Sequence, residues 1–471
     1  MPYLFVLGLL SFLLSLMLTP FFRDLFSKHG ILDKPDDGRK LHRGNIPRVG
    51  GIPIAVAYIT ALTLAAFLPV HTGALVRHAV PLAIRLLPAA GLIFSVGLID
   101  DVYGLTAKQK LCGQVVAACI VLAAGIRVDA IGGHFLPIWV SVAATIVWLI
   151  GCTNALNLID GLDGLAAGVG LFATLTALIT GLLSHNFELA AVTAPLVGAL
   201  LGFLRFNFNP ASIFLGDSGS LLIGFLLGCF GILWSQKSAT VLGITAPLIA
   251  LSVPLIDVGL AVVRRFLRQQ PIFAPDRGHI HHRLLARGLT PRRVALTLYM
   301  ACTLCAVLSL LQSFADEKLA IVIVILFCVC AWFGIQRLKY IEFGTAGQLV
   351  LGGGLRRLLN ARISLAGLED TLKNAPDFND CWKIIEKTYE PFGFADVEFE
   401  LNGSHKKCGL NDRNENIWSV TIYLEDDYVR LYRRRNATVD PALSGSYIEC
   451  LRNGLMPHVQ TPKVMVASSR T

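Results

Sequence analysis

Long apolar segments recur through the first 340 residues of the chain, and no water-soluble fold accommodates them. A helix that crosses a bilayer needs about 20 mostly apolar residues, with a range of roughly 17–25. Only 15% of the chain is charged, against about 25% in typical soluble proteins. The sequence predicts eleven membrane-spanning segments, some of them short, at about 3–22, 49–69, 80–98, 111–126, 137–153, 163–183, 187–204, 217–234, 239–261, 294–313 and 318–335.

The composition changes near residue 340. We expect a transmembrane domain at 1–340, a glycine-rich linker at 341–355 and a soluble domain of unknown function at 356–471. Helical and alternating apolar patterns in the last part predict helices and strands, at Leu365–Leu372, Asn379–Tyr389, Asp396–Leu401, Trp418–Leu424 and Tyr428–Tyr432. The expected fold class is an all-α polytopic membrane protein of about 11 transmembrane helices with a small C-terminal cytosolic α+β domain.

Lys and Arg are distributed unevenly among the connections between the apolar segments. The connection at 23–48 holds seven and the one at 262–293 holds eight, whereas the connections of opposite parity hold five in total. By the positive-inside rule the rich connections are cytoplasmic. The first segment lacks a basic leader and is followed by Arg23 and Lys28, so we expect a retained helix with its N-terminus outside. Anionic lipids or a phosphorylated substrate account for the net charge of +9 without nucleic acid.

Four short polar motifs lie at helix ends on the side that the charge count assigns to the cytoplasm. They are LIDDVYG (Leu98–Gly104), NALNLIDGLDG (Asn154–Gly164), IFLGDSGS (Ile213–Ser220) and PDRGHIHHRLL (Pro275–Leu285). Carboxylates and histidines in or beside hydrocarbon are costly, so their repetition there indicates a function. Gathered at one membrane face, they are suited to hold a divalent cation and a diphosphate.

The adjacent acids Asp100 and Asp101 end the third apolar segment. Neighbouring side chains on a helix point in different directions, so the two need not share a ligand. Asp is disfavoured near a helix C-terminus by the macrodipole, which argues for a functional role. The alternative is a turn, because Asp-Asp-Val-Tyr-Gly has favourable turn residues.

Asn157, Asp160 and Asp163 recur at three-residue spacing, which brings their oxygen-bearing side chains to one side of a helix or tight turn. Such ligands suit Mg²⁺ or Mn²⁺. The alternative is a capped helix start with Asp160 or Asp163 as the N-cap. Asp217 opens the eighth segment and by itself fits an N-cap, but the other acidic motifs favour a functional role for it too.

A histidine-rich loop combines three histidines with several arginines, which predicts an anion-binding cluster for phosphates. A zinc site is disfavoured because the HxHH spacing has poor geometry for one ion and the arginines repel a cation. Contact with lipid headgroups is the other alternative. The residues concerned are His279, His281, His282, Arg264, Arg265, Arg277 and Arg283.

Three further polar residues are minor candidates. Asp257 lies within the ninth segment, about two turns before the doubled arginine, and we interpret it as a partner of that basic pair. Lys40 and His42 add cationic groups before a glycine-marked helix start, where contact with lipid headgroups is the alternative to substrate binding.

Together, the motifs resemble those of the polyprenyl-phosphate N-acetylhexosamine-1-phosphate transferase family, over about residues 20–290. The resemblance implies a bacterial inner-membrane enzyme with a cytoplasmic active site. It implies Mg²⁺-dependent transfer of an N-acetylhexosamine-1-phosphate from a UDP-sugar to undecaprenyl phosphate, with release of UMP. The partners it implies are a UDP-sugar, a polyprenyl phosphate lipid and a second copy of the chain, but no nucleic acid.

The resemblance also implies roles for individual residues. Asp217 would be the principal Mg²⁺ ligand, with Asn157 nearby and Mn²⁺ as the alternative ion. Asp163 would contact the uracil and Phe214 would stack on it. A catalytic role is implied for the acids Asp100, Asp101 and Asp160 and for the loop residues His279, His281, His282 and Arg283. Substrate contacts are expected from Lys40, His42, Arg264 and Arg265.

The form of the histidine loop bears on the sugar. In the resembling family, the branch that transfers phospho-N-acetylmuramoyl-pentapeptide has three consecutive histidines, whereas Ile280 interrupts the run here. UDP-GlcNAc is therefore the favoured donor, and UDP-MurNAc-pentapeptide or another amino sugar is the alternative. Two rival classes are a secondary transporter, which would place its polar groups near the bilayer midplane, and a membrane scaffold whose soluble domain carries the function.

Overall fold

The computed structural model describes residues 2–29, 46–67, 71–131, 134–236, 244–267, 278–338, 365, 367–401, 403–409, 417–425, 427–434 and 441–459. Its internal contacts divide the chain into two compact units, Met1–Tyr340 and Ile341–Thr471. The predicted glycine-rich linker, together with Lys40 and His42, lies outside the described residues.

Within its described residues, the first unit is helical apart from one short antiparallel pair, β1 (Ala130–Ile131) with β2 (His134–Phe135). Its helices are α1 (Pro2–Lys28), α2 (Gly51–Phe67), α3 (His71–Tyr103), α4 (Ala107–Ala123), α5 (Ile138–Ile159), α6 (Leu165–Leu183), α7 (Phe187–Asn207), α8 (Gly216–Gln236), α9 (Thr245–Ala250), α10 (Ser252–Leu267), α11 (Ile280–Ala286), α12 (Pro291–Phe314) and α13 (Glu317–Arg337). In the described ranges, eight of them are long and apolar enough to cross a membrane: α1, α3, α5, α6, α7, α8, α12 and α13. The multi-pass helical class is therefore confirmed, while the count of eleven stays a prediction.

One predicted segment has a different form in the structure. The sequence pattern predicts a single span at 239–261, but α9 ends at Ala250 and α10 begins at Ser252. Pro254 supplies the reason, because a proline ring clashes with the carbonyl four residues earlier, here that of Ala250, and lacks the N–H that would bond to it.

Helix α8 lies at the centre of the first unit. Buried residues make up 89% of its apolar window, against 11% for the peripheral helix α13. Glycines permit its close contacts, since a Cβ at Gly97 of α3 would lie 2.5 Å from the backbone oxygen of Asp217, and one at Gly224 would lie 2.7 Å from the oxygen of Cys152 on α5. The C-terminal ends of α3 and α5 are thereby held against the N-terminal half of α8.

The second unit has its own hydrophobic core under a four-stranded antiparallel sheet. The strands are β3 (Asp396–Leu401), β4 (Ser404–Gly409), β5 (Ile417–Leu424) and β6 (Asp427–Arg434), in the order β4-β3-β6-β5, with helices α14 (Phe378–Thr388) and α15 (Pro441–Leu455). Alternate residues such as Val397 and Phe399 are buried, as are Ile385 of α14 and Tyr447 of α15. The small sheet domain expected from the sequence is confirmed, although strand β4, a polar SHKKCG segment, was not predicted.

Candidate active site

The C-terminal end of α3 caps the N-terminal end of α8. One carboxylate oxygen of Asp101 accepts a hydrogen bond from the backbone nitrogen of Asp217 at 2.7 Å, and the other accepts from that of Ser218 at 2.9 Å. The first N–H groups of a helix have no partner within it, so a carboxylate there is stabilising. A Cβ on Gly216, which has a φ of +75°, would clash with the Asp101 carboxylate at 2.7 Å. Asp101 therefore fixes the position from which Asp217 projects.

Two cationic side chains bind the carboxylate of Asp217. Arg48 donates from Nη2 to Oδ1 at 2.6 Å, and Lys110 donates from Nζ to Oδ2 at 2.9 Å. Lys110 also contacts Oδ2 of Asp100 at 3.0 Å, while Arg48 Nε lies 3.6 Å from Asp101 Oδ1. Asp100 and Asp101 thus turn to different partners, as expected for adjacent residues. The three acids and two bases form one cluster, which we call the carboxylate cluster: Asp100, Asp101, Asp217, Arg48 and Lys110.

The NALNLIDGLDG motif ends α5 and makes a tight turn before α6. Asn157 donates from Nδ2 to Ser220 Oγ at 3.0 Å, which places its amide against the first turn of α8. The N-cap of α6 is Gly164, with no side-chain capping bond, so the capping alternative for Asp160 and Asp163 is wrong. Asp160 keeps part of its surface exposed. Desolvation of its carboxyl nevertheless raises its pKa well above the usual range, and Arg48 opposes the shift.

Asp163, in the turn after α5, accepts hydrogen bonds from the loop before α8. Its Oδ2 accepts hydrogen bonds from Asn209 Nδ2 at 2.9 Å and from the backbone nitrogen of Ala211 at 3.0 Å. In the same loop, Phe214 pairs through its backbone with the segment before α2, since its nitrogen donates to Pro47 and its oxygen accepts from Gly50, both at 2.9 Å. The residues proposed to meet the uracil therefore lie on loops joined to the carboxylate cluster.

The histidine loop leads into α11, whose first residue is Ile280. His279 and His281 are buried, and their rings are parallel with centroids 5.8 Å apart. His282 lies against His281 at 4.2 Å between ring centroids. Burial lowers the pKa of His281 to about 4. A Cβ at Gly161 would lie 3.1 Å from His281 Nε2, so this loop packs directly on the turn after α5.

Of the arginines expected to surround the histidine loop, Arg264, Arg265 and Arg283 are described by the structure, and Arg277 lies outside the described residues. Arg264 and Arg265, at the end of α10, are buried, and a Cβ at Gly278 would overlap the Arg264 guanidinium. Arg283 donates from Nη1 to the backbone oxygen of Leu338 at 3.3 Å.

Asp257 differs from its sequence-based interpretation as a partner of the doubled arginine. Among the described residues, its carboxylate contacts His279 and the backbone nitrogen of Ile280 instead. The interpretation failed because two helical turns along α10 carry the acid away from the arginines and toward the loop that folds back on it.

Sequence reasoning also missed Arg48 and Lys110 as functional residues and used them only for topology. A signal was present in each case. Arg48 lies two residues before the glycine pair Gly50–Gly51, where α2 begins, and Lys110 lies in the first turn of the helix that follows the adjacent acids. A basic residue that follows an acidic motif, as Lys110 follows Asp100 and Asp101, is a candidate for its counter-charge, and Arg48 is a cation beside a glycine-marked helix start.

The donor chemistry around Asp217 and Asn157 fits Mg²⁺. In the described part of the chain, no group of three or more His, Cys, Asp or Glu side chains is placed to hold a metal by itself. However, Mg²⁺ in phosphoryl-transfer sites is bound by one or two carboxylates together with substrate phosphates and water. Because Asn157 donates through its nitrogen to Ser220, one turn along α8 from Asp217, its carbonyl oxygen remains as a hard ligand for an ion.

Comparisons with known proteins identify a family model and several relatives that this chain resembles. The family model described as glycosyl transferase family 4 matches residues 83–235. A Bacillus subtilis (strain 168) protein described as a probable undecaprenyl-phosphate N-acetylglucosaminyl 1-phosphate transferase is 36% identical over 297 residues, covering 62% of this chain and 80% of the relative. The decaprenyl-phosphate N-acetylglucosaminephosphotransferase of Mycobacterium tuberculosis (strain H37Rv) is 35% identical over 321 residues, 63% and 79% of the two chains.

A third relative is more distant but is matched over more of its length. The undecaprenyl-phosphate alpha-N-acetylglucosaminyl 1-phosphate transferase of Escherichia coli (strain K12) is 27% identical over 329 residues, covering 67% of this chain and 86% of the relative.

Proposed function

The chain belongs to the polyprenyl-phosphate N-acetylglucosamine-1-phosphate transferase family, and from this premise we infer that it transfers N-acetylglucosamine-1-phosphate to a polyprenyl phosphate. The multi-pass helical fold suits a lipid substrate whose chain stays in the bilayer. We propose UDP-GlcNAc as the donor, with UMP as the leaving product. The carboxylate cluster at the start of α8 is the observation that supports this chemistry best.

Charge is the first obstacle to the proposed reaction, because both substrates carry phosphate. Two unit charges of like sign at 4 Å repel each other by about 4 kcal/mol at an effective dielectric near 20. Arg48 and Lys110 supply two positive charges where Asp217 begins α8. When the diphosphate binds, we expect these cations to exchange part of their contact with Asp217 for contact with phosphate oxygens.

Asp217 and the carbonyl oxygen of Asn157 are the residues that would hold Mg²⁺. When bound, the ion would neutralise diphosphate oxygens and stabilise the leaving UMP. A shift of Lys110 or Arg48 toward the phosphates would free carboxylate oxygens of Asp217 for it. Asp101, whose two oxygens already accept backbone hydrogen bonds from α8, would keep Asp217 in place during the exchange.

The proposed chemical step is a single displacement at phosphorus. An oxygen of the lipid phosphate attacks the phosphorus that carries the sugar, a new phosphoanhydride bond forms, and the bond from that phosphorus to the bridging oxygen breaks. The leaving oxygen departs with its electron pair as part of UMP. Because a phosphate monoester is already an anion near neutral pH, the protein need not remove a proton, and positioning of the two phosphates dominates the rate. A covalent aspartyl-phosphate intermediate is the alternative, and trapping a phosphorylated Asp would establish it.

We propose that the site lies at the cytoplasmic face of the bacterial inner membrane, where soluble nucleotide and membrane lipid meet. Family membership argues against the transporter alternative. The interrupted HIHH run favours GlcNAc over MurNAc-pentapeptide as the transferred group.

The test is an assay of the purified full-length protein with undecaprenyl phosphate, Mg²⁺ and a panel of UDP-sugars, measuring UMP release. We expect UMP with UDP-GlcNAc only when the lipid is present. UMP release with UDP-MurNAc-pentapeptide but not with UDP-GlcNAc would show that UDP-MurNAc-pentapeptide is the donor. Release that does not depend on lipid would contradict the proposed reaction.

A further inference from the structure

Asp257 is a buried carboxylate on an apolar helix, and the proposed reaction does not yet use it. It lies on α10 and is 2% exposed. An ionisable side chain in such a place is costly unless it is hydrogen-bonded, so its partners indicate its purpose. Those partners are two consecutive residues of the histidine loop.

The contacts of Asp257 join its side chain to the start of α11. Oδ1 accepts from the backbone nitrogen of Ile280 at 2.8 Å, and Oδ2 lies 3.1 Å from Nδ1 of His279. The first N–H groups of a helix need partners from outside it, and the side chain of His279, at the N-cap position, does not supply one. The carboxylate of Asp257 on α10 caps α11 instead, and at the same time it contacts the imidazole of His279.

The cavity beside this pair is small and is lined mostly by apolar side chains. Side chains such as Ile159, Val253 and Leu298 line a cavity of only about 10 Å³ beside Asp257 and His281. This is at the lower limit for one water molecule. His279 and Ile280 provide the hydrogen bonds of the carboxylate that the structure shows.

A carboxylate beside an imidazole determines which ring nitrogen carries hydrogen. An ionised carboxylate only accepts, so contact with Asp257 keeps the hydrogen of His279 on Nδ1 and leaves Nε2 for another partner. We propose that Asp257 is a positioning residue for the transferase reaction, which holds the His279 ring and the first turn of α11 ready for the sugar diphosphate. The proposal rests on the proposed function, because the diphosphate is the ligand that it assigns to this loop.

The experiment is a double-mutant cycle on the purified full-length protein, with UMP release as the rate measurement. The variants are Asp257→Ala, His279→Ala and the double substitution. Loss of the outer partner of a metal-ligating histidine commonly costs about 10–100-fold in activity, and we expect a loss of similar size for Asp257→Ala. If Asp257 acts through His279, the same substitution in the His279→Ala background costs less than about threefold, since coupled residues are not additive.

The matched control is Ser252→Ala on the same helix. Ser252 is also buried and polar, but it donates to Cys305 Sγ on α12 at 3.2 Å and has no part in the histidine loop. We expect this variant to retain activity within about threefold of wild type, in line with a small local packing change. Asp257→Asn, which preserves the side-chain volume, replaces Asp257→Ala in the cycle if the alanine variant does not fold.

The outcomes distinguish failure of the positioning role of Asp257 from failure of the proposed transferase function. If the wild type is active and Asp257→Ala causes the same fold-loss with and without His279, the positioning role is wrong and the proposed function stands. Equal losses in Ser252→Ala and Asp257→Ala would also refute it, since they would indicate a general packing defect in α10. A wild type that forms no lipid-linked product would overturn the proposed function, and the positioning role with it.

Discussion

A single methyl group placed on Gly97 is expected to disable the site although no polar residue is replaced. Gly97 faces the start of α8, and a Cβ there would lie 2.5 Å from the backbone oxygen of Asp217 and 2.6 Å from the Cα of Ser218. Nonbonded heavy atoms prefer about 3.5–4.0 Å. The obstructing atoms belong to the backbone, so no side-chain rotation relieves the clash and the two helices must separate by roughly 1 Å.

The separation has a calculable effect on the capping contact one turn later. Asp101 accepts from the backbone nitrogens of Asp217 and Ser218 at 2.7 and 2.9 Å. A shift of roughly 1 Å takes both contacts beyond about 3.6 Å, where a hydrogen bond is no longer formed. Misplacement of reacting groups by about 1 Å costs about 100-fold in rate. We therefore expect Gly97→Ala to lower kcat/KM by about that factor.

The chain offers a matched control six residues earlier on the same helix. A Cβ on Gly91 would meet no atom within 4 Å, and Gly→Ala inside a helix normally stabilises by about 0.5–1 kcal/mol. Gly91→Ala should retain wild-type turnover and melt at the same or a slightly higher temperature in detergent. If Gly97→Ala is as active as Gly91→Ala, the close approach of α3 to α8 is not what organises the site.

Four further predictions concern the same assay of UMP release. Asp217→Asn should lose more turnover than Asp100→Asn, because Asp217 is the proposed metal ligand while Asp100 anchors Lys110; equal or reversed losses would refute this order. Lys110→Gln should lower kcat by about 100-fold, as expected for loss of one positioned charge at a transferring phosphoryl group. An unchanged kcat with a higher KM would argue against this role of Lys110. Chelation of divalent metal should abolish turnover and added Mg²⁺ should restore it, so activity that persists in excess chelator counts against the ion. Deletion of the residues beyond 345 should preserve turnover at least in part, and complete loss in a folded protein would implicate the second unit.

Local sequence patterns predicted the helical class and the identity of the polar motifs because both depend on composition and short-range spacing. The motif at Asn154–Gly164 shows the limit of that reasoning. Its spacing suggested one shared face, but the structure turns Asn157 toward Ser220 and Asp163 toward the loop at Asn209. The turn that separates them begins after Ile159, where α5 ends. Spacing alone does not determine where a helix stops.

Long-range partners were the part that could not be predicted. Arg48 and Asp217 are 169 positions apart in sequence, and Asp257 and His279 are 22 apart, with the end of α10 between them. Their pairing follows from the packing of α3, α5 and α10 against neighbouring helices, which no local pattern encodes. Strand β4 was missed for a related reason, because its polar residues are held by pairing with β3 rather than by burial of an alternating face.

Transfer of the sugar together with its phosphate is the central claim, and the fate of a labelled β-phosphate tests it most directly. The purified protein is given UDP-GlcNAc that carries a label in the phosphate next to the sugar, together with undecaprenyl phosphate and Mg²⁺. The account predicts that the label enters a lipid with two phosphates and one GlcNAc, and that unlabelled UMP is released in equal amount. A lipid with a single phosphate, formed with labelled UDP, would mean that the sugar moves without its phosphate and would contradict the account.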